Sequence, residues 1–252
     1  MTNERPLFSI ITVTYNAEAT LPPTLQSVAE QTCTLYEHLI VDGASTDGTA
    51  DVVRRCGNPL VVFSSARDRG IYDAMNKGLA KAQGDYLIFL NAGDTFHSSE
   101  TLRELADVIM DNDYPGVVYG QTNLVNAERC YVGPRHLTAP EQLTMDSFRN
   151  GMVVCHQAFV TLRKLAKDYD LRYCFSADYE WCIKVLQRSR NNVYVPEVII
   201  DYLEEGATTR NRYKSLCERF CVMCRYYGTF STIWRHLTFI PRFLRNRKKK
   251  AL

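Results

Sequence analysis

What most constrains the fold of this chain is an alternation in its first half, where short β-rich apolar runs take turns with segments of helical periodicity. Phe8–Thr14 (FSIITVT) is almost continuously apolar, as expected of a strand covered on both faces. Ala19–Gln31 then reads as a helix, with Pro22 and Pro23 in the first turn, where a missing N–H is harmless. Tyr36–Val41 is a second strand, Thr49–Cys56 a short helix and Leu60–Ser64 a third strand. Ile71–Gln83 sets Ile71, Ala74, Met75 and Leu79 on one helical stripe; Tyr86–Leu90 is a fourth strand, and Ser99–Met110 a helix with a serine N-cap. Strand and helix exchanging at this spacing imply an α/β fold with a mostly parallel, doubly wound sheet and helices on both faces.

In such sheets ligands collect beyond the carboxyl ends of the strands. That rule selects Tyr15–Glu18, Asp42–Asp47, Ala66–Arg69 and Asn91–Asp94, all polar and three of them containing aspartate. The second half is less regular. Val117–Tyr119, Thr122–Ala127 and Cys130–Val132 read as short strands, Gly151–Val160 as a longer one and Ala177–Arg188 as an amphipathic helix. From Thr209 onward the pattern is helical, with breaks near Gly228 and Pro241. Residues 1–208 are expected to form one domain, with halves 1–115 and 116–208, followed by a helical tail over 209–252.

Charge separates the tail from the body. From Arg210 to the end there are 12 Lys and Arg against the single acid Glu218, so a total of only +2 leaves the preceding residues net acidic. The nine cysteines are an odd count, fitting free thiols better than a disulfide framework. The start MTNERPLFS has no basic segment leading into an apolar one, so a cytoplasmic protein with reduced thiols is expected. No run reaches the roughly 18 to 20 apolar residues needed to span a bilayer.

Two segments carry the chemistry. In LIVDGASTDGT (Leu39–Thr49) a buried strand ends in Asp42, where a carboxylate could receive a base or ribose; a plain strand–turn–helix with Asp47 as an Asx-turn is the competing reading. In DYLIFLNAGD (Asp85–Asp94) an apolar strand delivers Asn91 and Asp94 to the same edge. A leaving diphosphate needs its charge neutralised, and a divalent cation held by a carboxylate does this.

With SIITVTYNAEATL at Ser9–Leu21, ARDRGIYDAMNKGLAKAQGDYLIFLNAGD at Ala66–Asp94, and CHQAFV preceding SADYEW, the ordered set resembles the family-2 type of GT-A glycosyltransferases, over roughly Phe8 to Asp201. It looks most like bacterial enzymes that build O-antigen or capsular units. The resemblance implies a nucleotide-sugar domain, with Thr14, Tyr15, Asn16 and Glu18 lining the nucleotide pocket, Asp42 on the base (usually uracil), and Asp68, Asp73 and Asn76 closing over the nucleotide. It also implies inverting transfer from a UDP-sugar to a saccharide or lipid-linked saccharide. The family's metal pattern is Asp-x-Asp, and here it reads Asn91-Ala92-Gly93-Asp94. Asp94 is therefore the implied ligand of Mg²⁺ or Mn²⁺, Asn91 lies with the nucleotide, and the metal is expected to enter with the nucleotide. Asp178 matches the general base; His156 and Gln157 match an acceptor-side segment. Helix capping remains the rival reading of Asp73 and Asp178.

Cys217, Cys221 and Cys224 have iron–sulfur spacing, but at i, i+4 and i+7 of one helix they read as thiols facing the body. The tail interleaves Trp234, Leu237, Phe239, Ile240, Phe243 and Leu244 with Arg and Lys. Over 234–252 it is expected to meet an anionic membrane surface rather than nucleic acid, since the body is acidic. The rival functions are a sugar-1-phosphate nucleotidyltransferase, against which TYNAEAT lacks a Gly-rich basic loop, and a degenerate nucleotide-binding module.

Overall fold

A computed structural model describes residues 5–204 and 212–237. The four expected strands form: β1 (Phe8–Thr14), β2 (Tyr36–Asp42), β3 (Val61–Ser65) and β4 (Tyr86–Phe89), alternating with helices α1 (Leu21–Ala29), α2 (Thr49–Arg55) and α3 (Ile71–Lys81). They lie parallel in the order β3-β2-β1-β4. β1 shows why its sequence is apolar throughout. Ile11 and Val13 enter the core beneath α3, while Phe8 and Ile10 enter the core on the other face.

The sheet continues in mixed direction. Beyond β4 come β8 (Phe159–Leu162), β6 (Val117–Val125), β9 (Asn192–Leu203) and β5 (Thr95–Phe96), with β7 (Tyr131–Pro134) paired to β6. β8 runs antiparallel to β4 and β6, and β9 runs parallel to β6. Helices α4 (Thr101–Asp111) and α5 (Ala177–Leu186) pack in the two cores.

Several expectations need correction. Residues 117–125 form one strand rather than two. Only the end of the expected strand at Gly151–Val160 is extended; His156–Ala158 is a 3₁₀ turn. α4 begins at Thr101, and Ser98 rather than Ser99 serves its first turn, its Oγ accepting from Glu100 N–H at 3.0 Å. β9 was not anticipated because Pro196 interrupts NVYVPEVIIDYL. The register slips there: two steps along β6, from Tyr119 to Gln121, match four along β9, from Tyr194 to Val198. Pro196 thus sits in a bulge where no ladder N–H is required.

Helix α6 (Arg212–Tyr227) ends at Gly228 (φ 85°) and a second helical segment spans 229–237. Pro241 lies outside the described residues, as does most of the basic tail. Glu218, the lone acid of that region, accepts from Cys174 N–H (2.9 Å) and Phe175 N–H (2.8 Å). It thereby pins α6 to the segment entering α5. Cys217 and Cys221 are exposed and Cys224 is half-buried, so the first two do not face the body, contrary to expectation.

Candidate active site

A cavity of about 860 Å³ opens over the carboxyl edge of the parallel strands, a size that suits a cofactor-sized ligand. All four strand-end segments contribute: Thr14, Tyr15 and Asn16 after β1, Gly43, Ala44 and Thr46 after β2, Arg67 and Asp68 after β3, and Asn91, Ala92 and Asp94 after β4. The far wall is Tyr202 and Leu203 at the end of β9, a contribution hidden with that strand. Arg67 and Tyr202 are lining residues that sequence reasoning did not single out.

Tyr15 is 67% exposed, an aromatic face open to a flat ligand. Asn16 (φ 50°) crosses the left-handed region, which asparagine tolerates. Its side-chain oxygen accepts from Thr46 N–H at 3.0 Å and its own N–H donates to Ser45 Oγ at 2.8 Å, joining the β1 and β2 loops. Asp68 accepts from Gly70 N–H at 3.0 Å and faces the β2 loop closely enough that a Cβ on Gly43 would meet its Oδ2 at 2.4 Å.

Four expected nucleotide-pocket residues are not among those lining the cavity. Asp42 is 1% exposed. Its Oδ1 receives Thr14 Oγ1 (3.0 Å) and Ser45 Oγ (2.5 Å), and its Oδ2 receives Ser65 Oγ (2.6 Å) and Ser45 N–H (2.9 Å). Burial pushes its carboxyl up, but these donors outweigh burial and hold it below the usual value. Asp42 therefore anchors the loop beneath the cavity. Glu18 accepts from Gly48 N–H at 3.0 Å and so caps α2. Asp73 sits in the first turn of α3, held low by Arg69 at 2.8 Å. Asn76 exchanges two hydrogen bonds with the Tyr169 backbone (3.1 and 2.7 Å), stitching α3 to the second half.

Asp94 does reach the cavity. It is 3% exposed, with Oδ1 accepting from Leu203 N–H (2.9 Å) and Oδ2 from Gln157 Nε2 (2.8 Å). Burial pushes its carboxyl up to about 7, against the opposing pull of those donors and Arg129. Beside it, Asn91 Oδ1 is buried without a hydrogen-bond partner among the described residues. Asp94 and Asn91 line the same cavity three residues apart, and a buried carboxylate and an orphan amide oxygen are hard oxygen donors of the kind Mg²⁺ or Mn²⁺ takes. Among the described residues no group of three or more His, Cys, Asp or Glu could hold an ion.

Asp178 stands at the start of α5, half-buried. Its Oδ1 accepts from Tyr72 Oη (3.1 Å) and Tyr179 N–H (2.8 Å). Oδ2 takes no hydrogen bond among the described residues. Tyr202, which lines the cavity, lies within electrostatic reach of both Asp94 and Asp178, although Asp178 is not itself among the lining residues. His156 is 5% exposed; it bonds Tyr169 Oη at 2.7 Å, stacks on Phe89 at 4.9 Å, and burial lowers its ring to about 4. It is a neutral part of the aromatic core. Gln157 touches Asp94 rather than open acceptor space.

A mostly parallel sheet continued by antiparallel strands, with a cavity over its strand ends and a buried carboxylate among the lining residues, is the architecture of the GT-A fold. Residues 9–170 match the family described as Glycosyl transferase family 2, and the chain belongs to that family; it is a glycosyltransferase. A PGL/p-HBAD biosynthesis glycosyltransferase of Mycobacterium bovis is 33% identical over 209 residues, covering 80% of this chain and 78% of the relative. The putative teichuronic acid biosynthesis glycosyltransferase TuaG of Bacillus subtilis is 31% identical over 62% of each chain. S. aureus TarS in complex with UDP-GlcNAc superimposes with TM-score 0.70 at 21% identity, over 92% of this chain and 73% of that one. The mannosyltransferase PcManGT from Pyrobaculum calidifontis, in complex with GDP-Man and Mn²⁺, gives 0.64 at 20%, over 88% and 65%. At such identities the two structures show the fold alone.

Proposed function

We propose that this enzyme moves a sugar from a UDP-sugar to a hydroxyl of a lipid-linked saccharide, with inversion, in the assembly of a surface polysaccharide or glycolipid. The names of the mycobacterial and Bacillus relatives support the pathway class, and the UDP-GlcNAc held by the similarly folded TarS supports the donor class. The single observation that carries the chemistry is the pairing of buried Asp94 with the orphan Asn91 Oδ1 in the cavity wall.

Asp94 and Asn91 would hold a divalent cation, which when bound neutralises charge on the departing diphosphate. Tyr15 offers its exposed ring to the base, and the Asn16–Thr46 bridge fixes the loops around the nucleoside. Gln157 and Leu203 N–H fix the Asp94 carboxylate in one orientation. Tyr72 and Tyr179 N–H occupy Oδ1 of Asp178 and leave Oδ2 to accept the proton of the acceptor hydroxyl as its oxygen attacks the anomeric carbon opposite the diphosphate.

The test is to incubate the enzyme with Mn²⁺ and a panel of nucleotide sugars and to assay released UDP and pyrophosphate. UDP release that Asp178→Asn abolishes, with UDP affinity unchanged, supports the reading. Pyrophosphate release indicates nucleotidyl transfer instead. Full turnover by Asp178→Asn rejects Asp178 as the base.

A further inference from the structure

The helical segment 229–237 presents an apolar stripe that no part of the described protein covers. Phe230 is 91% exposed, Trp234 73%, Leu237 53% and Ile233 44%. Their spacing at i, i+3, i+4 and i+7 puts them on one side of the helix. The opposite side is attached to the body. Thr232 is 1% exposed, Ser231 Oγ accepts from Arg149 at 3.0 Å, and Arg235 donates to Asn150 Oδ1 at 3.1 Å. The helix is therefore fixed in orientation with four large apolar side chains facing out, which a solvated surface helix does not need.

We infer that this stripe is a docking surface for an anionic lipid bilayer. Charge selects that occupant. Residues 238–252 contain six Lys and Arg and no acid, so the sequence continuing from the stripe is basic. An apolar helical face bearing a tryptophan, followed by a polybasic segment, combines the two forces of interfacial binding. The apolar side chains enter the headgroup–acyl boundary, and the cations are attracted to negative headgroups. A second copy docking stripe to stripe would bring two polybasic segments together and be repelled. The inference stands apart from the sugar chemistry, because it uses no cavity residue.

The two tryptophans make it directly testable, since Trp181 is fully buried and Trp234 is exposed. The full chain is mixed with phosphatidylcholine vesicles, with or without phosphatidylglycerol, and followed by flotation and tryptophan emission. Expected are binding to the anionic vesicles, a blue shift that Trp234→Phe removes while binding persists, and loss of affinity by about tenfold or more in Phe230→Ser/Trp234→Ser. High salt weakens the binding. Unchanged melting of the double variant shows that the fold is intact. Equal vesicle binding by wild type and double variant overturns the inference. So does a salt-resistant dimer in sedimentation velocity that the double variant abolishes, which would assign the stripe to a second copy.

Discussion

Asp42→Asn separates an anchor from a base contact. The carboxylate is 1% exposed and accepts four hydrogen bonds, three of them from hydroxyls. A bond to a charged acceptor exceeds a neutral one by about 1 kcal/mol, so four of them set an upper figure of about 4 kcal/mol. The amide would turn its NH₂ toward Thr14 and Ser45 Oγ, which can rotate to accept, and the fold would no longer bury a charge. Those two reliefs bring the expected loss to about 2–3 kcal/mol, or about 5–10 °C in melting temperature for a chain of this size. Thermal melts with calorimetric titration of UDP, CDP and GDP provide the assay. The expected result is a lower melting temperature with unchanged base preference. An unchanged melting temperature with collapsed preference for one base would refute the anchoring role and restore direct contact.

The sign of pH dependence differs between the two buried aspartates. Asp94, raised from 3.8 to about 7, favours its neutral form in the fold. The metal-free protein should thus lose stability relative to Asp94→Asn as pH rises from about 4 through 7, by about 4 kcal/mol in the limit; parallel melting curves for the two proteins would exclude this. Gly78→Ala places a Cβ 2.6 Å from Ile11 Cγ2, and overpacking of about 1–3 kcal/mol outweighs the helix propensity gained. A lower melting temperature by chemical or thermal denaturation is expected. Glu218→Ala strips acceptors from Cys174 and Phe175 N–H and should reduce kcat more than donor KM, because Asp178 lies three residues beyond; steady-state kinetics with varied donor checks the split.

The parallel half of the fold was legible because buried strands and amphipathic helices have different periods, and local composition records both. The location of the cavity was legible for the same reason. Once strand ends are known, topology brings their loops together, and all four predicted segments do line it. Asp94 is singled out by the resemblance to the family's metal pattern, since a strand-end position alone describes Asp42 equally well, and the fold uses Asp42 as an anchor.

Only tertiary structure decided which polar side chains line the cavity. Asp42, Glu18, Asp73 and Asn76 stand in the expected segments, yet each has its side-chain oxygens engaged, Asp42, Glu18 and Asn76 by donors of other segments and Asp73 by Arg69 of its own. Those donors lie near in space and, for Asn76 and Tyr169, far apart in sequence. β9 likewise stayed hidden, because a bulge that accommodates Pro196 exists only against its partner β6, and with it went Tyr202 and Leu203 of the cavity wall. Sequence determines which groups are available at an edge. Hydrogen-bond partners from distant segments determine which of them remain free, because a buried oxygen that is already paired is not available to a ligand.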